Sequence, residues 1–325
     1  MPTMAGKADL QGKTVFVIGG SGGLGQELCK VMAAQGAHIT VFARKRHLLD
    51  EAQKNIAASR RDSSQRISTV AGDMGVATSA RTLITSQPVI PDILYCVAGG
   101  VPDDCGYFLD LEPQAFERCM ASNYYSCLYP AQAVLKWWTE DDAKSGTPLI
   151  PRRRKIVFMN STATLVPLPG YIAYTGTKAA QRALADTLRL EAMRYSGPKS
   201  TYTVQCVFAH NFITPTFLRE QKMKPELTKR IEGTSGATLA DLEKEIPHAS
   251  QVAREIVEDV ASEDFAVVGR QLIPQLLWAN MMGTSPKRGW GIIDSLLAIL
   301  TIFFVWPINQ RDIQKKCFGD ALNKQ

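Results

Sequence analysis

No two of the seven cysteines (Cys29, Cys96, Cys105, Cys119, Cys127, Cys206, Cys317) keep a C-x2-C spacing, and their number is odd. A disulfide framework is therefore not expected, and no metal site is called for; the pattern reads as reduced, mostly buried thiols in a cytosol-facing protein. The first residues, "MPTMAGKADLQGK", contain no apolar h-region, so a secretory signal peptide is not expected. Internal repeats and low-complexity tracts are also missing. Charge of one sign is in slight excess only: 37 Lys and Arg against 31 Asp and Glu leave a net +6. That excess suits an anionic ligand or a membrane surface and is too diffuse to indicate nucleic acid. The 45% apolar and 21% charged content is that of a globular protein. At 325 residues the chain is long enough for one large domain with an extension, or for two small domains.

From Thr14 onward, short β-branched runs alternate with helical stretches. "KTVFVIG" leads into a helix near Leu24–Gln35, then come "AHITVFA", a polar helix through "LLDEAQKNIAASR", "RISTVAGD", a helix near "TSARTLITS", and "DILYCVAGG". "KIVFMNS" and "TYTVQCVFA" continue the series. Alternation at this period predicts an α/β fold, a doubly wound parallel sheet with helices on both faces and ligands at the C-terminal ends of the strands. Two segments break the pattern. "KWWTEDDAKSGTPLIPRRRK" reads as an exposed loop whose Arg152–Lys155 run is solvated. Residues from about 215 to 250, polar and glycine-containing, read as a mobile flap with short helices.

"VIGGSGGLGQ" places five glycines among ten residues directly after a buried strand. Gly19, Gly23 and Gly25 allow either a tight turn or a close approach of backbone to an anion, and the helix that follows offers free N–H groups to a pyrophosphate. "AYTGTK" places Tyr174 and Lys178 four apart, one helical turn, on a common face. A nearby ammonium is expected to lower the phenol from about 10 and ease its proton transfer. "VFMNSTAT" ends a strand at Asn160-Ser161-Thr162, where a hydroxyl could hold a carbonyl oxygen beside the phenol.

Over roughly residues 10–270 these features resemble the short-chain dehydrogenase/reductase family. The glycine motif matches at Gly19, Gly23 and Gly25, with Ile18 where Thr is usual. Ser161 lies thirteen before Tyr174, and Asn123 in "MASNYYS" completes an Asn-Ser-Tyr-Lys tetrad. The resemblance implies hydride transfer to a carbonyl protonated by Tyr174. Lys178 would tune Tyr174 and hold the nicotinamide ribose, Ser161 would orient the carbonyl, and Asn123 would position a water that feeds protons through Lys178. It further implies dinucleotide contacts from Gly19, Ser21, Gly23, Leu24 and Gly25, from Asp73 at the adenine edge, and from Ala98, Gly99 and Thr214. Two stretches depart from the family. "CVAGG" replaces Asn-Asn-Ala-Gly, so the helix–strand tie must be made otherwise, and "FAHNFIT" puts Ala209 and His210 in place of Pro-Gly. His210 reads as a loop residue.

The second strand ends "VFARKRH", with Arg44 where an acid would bind a ribose 2′-hydroxyl and Lys45 beside it. A guanidinium there suits a 2′-phosphate, so the expected cofactor is NADPH. Residues 271–325 read as an apolar, membrane-associating extension. Its stretch "GWGIIDSLLAILTIFFVWP" has Trp290 and Trp306 near its ends, Lys287 and Arg288 before it, and Arg311, Lys315 and Lys316 beyond. Counted from Ile292 to Trp306, it would reach about 22 Å as a helix, short of the ~30 Å hydrocarbon core. Within the family, the glycine loop, "FAHNFITPTF", Ser285-Pro286 and this tail most resemble the fungal-type reductases of 3-ketodihydrosphingosine, a long-chain keto-sphingoid substrate. That implies an endoplasmic reticulum membrane, a catalytic domain facing the cytosol and a homo-oligomer, dimer or tetramer. Another lipophilic ketone, steroid or retinoid, is the alternative substrate. A non-catalytic NADPH-binding scaffold is the third reading, and the intact tetrad argues against it.

Overall fold

The computed structural model describes residues 10–100, 104–281, 287–309, 311–312 and 315–316. Ser285, Pro286 and Cys317 lie outside the described residues. Seven strands alternate with helices: β1 (Thr14–Ile18), β2 (His38–Ala43), β3 (Ile67–Ala71), β4 (Ile93–Cys96), β5 (Arg152–Ser161), β6 (Ser200–Ala209) and β7 (Ala266–Val267). They form one parallel sheet in the order β3-β2-β1-β4-β5-β6-β7, the expected doubly wound arrangement. All five residues of β1 are buried, because both faces of the sheet are covered. Val15 and Val17 face a core built with helices α1 (Gly23–Ala34), α2 (Arg46–Ala57) and α10 (Ala249–Asp259). Phe16 and Ile18 face the other core, with α3 (Ala77–Thr85), α5 (Ser126–Lys144), α6 (Ile172–Tyr195) and α11 (Leu272–Asn280).

The segment read as an exposed loop is not one. Helix α5 continues to Lys144, and Arg152–Lys155 opens β5. Arg154 is buried, donates to the Trp138 carbonyl at 2.8 Å and pairs with Asp141, which also holds Arg152. The run "RRRK" is legible as charge but not as pairing, since its partners lie at the far end of the preceding helix.

Helix α4 (Pro113–Met120) passes through one wider π turn, Ala121–Tyr125, into α5. After β6 come α7 (Pro215–Met223), α8 (Glu226–Glu232) and α9 (Leu239–Glu245), the short helices expected of the flap. The tail helix exceeds the expected length. It begins as α12 (Ile292–Leu300), takes a π turn at Thr301–Val305 and runs on to Asn309, 18 residues of mean hydropathy 1.9 with 11% of them buried. That length is about 27 Å, close to a bilayer's ~30 Å. Pro307 does not stop it: the carbonyl its ring would strike four residues back belongs to Phe303, inside the wider turn. By length and composition this helix is apolar enough to cross a membrane. Its one acid, Asp294, is buried and accepts from the Arg288 backbone N–H at 2.7 Å and from Nε and Nη2 at 3.0 and 2.6 Å. Arg288, expected as a flanking surface charge, folds back onto the helix instead.

Asp141→Asn removes the nearer of the two carboxylates at the buried Arg154 guanidinium, leaving Asp142 at 3.6 Å, and unfolding in urea is expected to show a loss on the order of 2 kcal/mol, the scale of a hydrogen bond between charged groups. Burial pushes the Asp141 carboxyl up, but the Arg154 hydrogen bond and the charges of Arg154 and Arg152 outweigh it and hold the group below its ordinary value of 3.8. The stabilisation is thus present above that value and disappears only as pH falls through the depressed one. A variant as stable as the wild type at neutral pH would contradict this account.

Candidate active site

The glycine turn is a steric necessity. Gly19 has φ +89°, and a Cβ there would lie 2.5 Å from the Ala98 backbone. The turn after β1 and the end of β4 thus pack backbone to backbone where the strand order reverses, and the Val97 and Ala98 N–H groups both donate to the Ile18 carbonyl, at 2.9 and 2.8 Å. A Cβ on Gly25 would meet the Gly19 carbonyl oxygen at 2.2 Å, and one on Gly23 would come within 3.6 Å of the Thr214 methyl group. Ser21 lies in the turn and Leu24 is buried beneath it. Helix α1 starts without a side-chain cap and with no acid in its first turn. Its first N–H groups are therefore available to an anion, and this cradle fits a dinucleotide pyrophosphate. Thr214 faces the same turn, with its hydroxyl engaged in capping α7 through the Phe217 N–H at 3.0 Å.

Arg44 and Lys45 follow β2, both exposed, and neither forms an ion pair among the described residues. Asp73, beyond β3, is exposed and accepts from the Gly75 N–H at 2.8 Å. Both positions lie at the C-terminal edge of the sheet, on the β2–β3 side of the glycine turn.

Asn123 sits in the π turn, wholly buried. Its Oδ1 accepts from the Gly100 N–H at 2.8 Å and its Nδ2 donates to the Gly100 carbonyl at 3.0 Å. This two-way amide pairing supplies the helix–strand tie that "CVAGG" left open. It requires Gly99 as well, since a Cβ there would fall 2.3 Å from Asn123 Oδ1. Only the missing side chain on Gly99 hinted at it in the sequence.

Ser161 ends β5, where its Oγ accepts from the Ala163 N–H at 3.2 Å. Tyr174 and Lys178 share a face of α6, with Nζ 5.8 Å from the phenol ring centroid. The expected lowering of the phenol is not what the structure gives. Burial pushes Tyr174 up, the nearby Ser161 hydroxyl opposes this without prevailing, and the Glu220 charge adds to the rise. Burial likewise pushes the Lys178 ammonium down. Lys178 Nζ donates to the Met159 carbonyl at 2.7 Å. His210 Nδ1 lies 3.1 Å from Thr162 Oγ1, and burial lowers the imidazole, which keeps it neutral at pH 7.

The flap is latched to the approach of α6. Lys224 is buried between Glu220, at 3.2 Å, and Glu232, with its Nζ 5.2 Å from the Tyr171 ring centroid and 5.6 Å from that of Phe217. The Tyr171 hydroxyl donates to Glu220, and Thr228 Oγ1 donates to the Pro169 carbonyl at 2.7 Å. Gly170 has φ +93° and leaves the space that Thr228 fills. Sequence reading missed this cluster. The four-residue spacing of Glu220 and Lys224 was a helical ion-pair signal, but nothing local marked it as buried.

The short chain dehydrogenase profile matches residues 13–223. The chain belongs to the short-chain dehydrogenase/reductase family. It is an oxidoreductase acting on a keto group, and NAD(P) is the cofactor of its family. A PIGF/3-ketodihydrosphingosine reductase fusion protein of Schizosaccharomyces pombe is 28% identical over 313 residues, 96% of this chain and 58% of that fusion. This chain therefore spans little more than half of that relative. The 3-ketodihydrosphingosine reductase of Bos taurus is 31% identical over 262 residues, 79% of this chain and 70% of the relative. Among solved structures, L-sorbose reductase from Gluconobacter frateurii, complexed with NADPH and L-sorbose, shares the fold with a TM-score of 0.61 at 19% identity, covering 79% of this chain and 92% of that one.

Lys224→Met leaves two carboxylates facing each other in a buried site, and the latch is expected to open. Limited proteolysis should then cut residues 215–245 faster than in the wild type, with dinucleotide affinity unchanged and Lys224→Arg intermediate. An unaltered digestion pattern would mean that the cluster does not hold the flap.

Proposed function

We propose that the protein reduces 3-ketodihydrosphingosine to dihydrosphingosine with NADPH, at the endoplasmic reticulum membrane with its catalytic domain in the cytosol. The observation that carries the chemistry is the shared face of α6 on which the buried Lys178 Nζ lies 5.8 Å from the Tyr174 ring centroid. A phenol held up by burial stays protonated at neutral pH and can donate to a developing alkoxide. The Ser161 hydroxyl, fixed by the Ala163 N–H, is placed to hold the carbonyl oxygen beside it. The Lys178 ammonium lies over the phenol ring, where it favours the anion left after proton transfer. NADPH, when bound, supplies the hydride. Gly19, Gly23, Gly25 and the start of α1 would hold its pyrophosphate, and Arg44 and Lys45 its 2′-phosphate.

The names of the relatives support the keto-sphingoid substrate. The apolar helix ending at Asn309 supports a membrane site for residues 271–325, where a long-chain ketone resides. Purified full-length protein given NADPH and 3-ketodihydrosphingosine in vesicles should yield dihydrosphingosine. Tyr174→Phe should lower turnover by ~10²–10⁴, the range for a lost general acid, and leave NADPH affinity in place. A soluble protein that prefers a short ketone would refute the lipid reading, and a Phe variant with more than about a tenth of wild-type turnover would refute Tyr174 as donor.

Arg44→Ala tests the choice of cofactor. A charge-assisted hydrogen bond is worth ~1.5–3 kcal/mol, so NADPH should bind on the order of tenfold or more weakly while NADH changes little. Titrating both dinucleotides by fluorescence distinguishes this from an equal loss, which would make Arg44 structural.

A further inference from the structure

Gln181 lies three residues beyond Lys178 on α6 and is wholly buried. A primary amide offers two donors and two acceptor sites, and here all four are used. Its Oε1 accepts from Lys178 Nζ at 3.4 Å and from Asn160 Nδ2 at 3.1 Å. Its Nε2 donates to the Asn123 carbonyl at 3.4 Å and to Cys127 Sγ at 2.9 Å. The amide orientation is not interchangeable, because the opposite one would turn an NH2 group toward an ammonium and another amide donor. The Asn123 carbonyl also accepts from Cys127 Sγ at 3.3 Å, so both of its lone pairs are engaged within the protein. On the family resemblance, Asn123 was expected to position a water feeding protons through Lys178.

We propose that Gln181 is a positioning residue for the Lys178 ammonium, joining it directly to the Asn123 carbonyl in place of a relay water. This rests on the catalytic reading of Tyr174 and Lys178 given above. An amide does not pass protons as water does, so Lys178 is fixed here by neutral dipoles: the Gln181 oxygen and the Met159 carbonyl. Asn160 braces the same point, donating to the Lys178 carbonyl at 2.9 Å as well as to Gln181.

The consequence is a pH dependence set at one side chain. The titratable groups facing Lys178 are Cys119 on α4, Cys127 on α5, Cys96 on β4 and Cys206 on β6, with Tyr174 on its own helix. Replacing Gln181 by Leu removes an acceptor from the ammonium. It also removes a donor from Cys127, which withdraws negative character from the ammonium's surroundings. Both changes favour the neutral amine. Replacing Gln181 by Glu places a carboxylate against the ammonium and favours the charged form.

Wild type, Gln181→Leu and Gln181→Glu are compared in two ways: kcat against pH with 3-ketodihydrosphingosine, and the NADPH dissociation constant against pH. The alkaline fall in kcat should move about one pH unit lower in the Leu variant, the scale of one hydrogen bond to a charged group, and higher in the Glu variant. The KM for the ketone should stay within about twofold, since neither change touches the flap. NADPH affinity, which needs Lys178 charged at the ribose, should lose its alkaline limb in the same two directions. Binding at low pH reports that each variant is folded, and the Glu variant carries the test if the Leu variant is not. Coincident profiles, or shifts of the same sign in both variants, would overturn the proposal. A wild type that binds NADPH but does not reduce the ketone would refute the proposed substrate and leave the binding profiles to decide on Gln181.

Discussion

A primary ammonium buried among neutral groups governs the arrangement of this site. Lys178 is almost fully enclosed, and its hydrogen-bond acceptors are a strand carbonyl and a side-chain amide. Removing an ammonium from water is expensive, and dipoles offset that cost only when they are held in place. Much of what surrounds Lys178 does this holding: Met159 near the end of β5, Asn160 bracing the turn of α6, and Asn123 in the π turn, whose carbonyl accepts from Gln181. The wider turn thus belongs with the buried charge rather than with helix propensity.

The second constraint is steric and lies on the neighbouring strands. Backbone meets backbone at Gly19 and Ala98, and the Asn123–Gly100 pairing can form only because Gly99 is bare. These two close approaches share one short segment after β4. A side chain introduced there would therefore disturb the pyrophosphate cradle and the Lys178 surroundings together, although the two are built from different helices. The flap has a further fixed point in the charge cluster beside Tyr171, at the start of the catalytic helix.

The sheet, the glycine turn and the Tyr174–Lys178 face could be read from the chain because each is local: a strand period, a cluster of glycines, a spacing of one turn. Arg154 could not, because its partner Asp141 lies back in α5, across the loop that precedes β5, and a run of basic residues reads as solvated until that partner is known. Lys224 and Gln181 failed for the same reason. Their burial is decided by the loop before α6 and by the π turn, both distant in sequence. The tail was underestimated because Pro307 is locally a stop signal, and only the wider turn before it allows the helix to continue. The phenol was misjudged because its spacing from the ammonium was legible and the burial that pushes it up was not.

The tail helix is tied by polar contacts at its beginning and packs on α11 as far as its π turn, where Thr301 is buried. Asp294 grips Arg288, and the neighbouring Lys287 donates to the Ala279 and Met281 carbonyls at 2.7 and 3.0 Å, at the end of α11. Trp278 of that helix lies against Phe208 of β6, ring centroids 4.7 Å apart, one residue before the strand ends at Ala209. Mechanically this is a lever held from Arg288 to the π turn and free beyond it. A load on the far end, at Trp306 to Asn309, is borne by the packing on α11 together with a salt bridge and two carbonyl contacts, and its reaction falls on the strand that leads to His210 and Thr214. The angle at which the tail is held is in this way a geometric input to the mouth of the site.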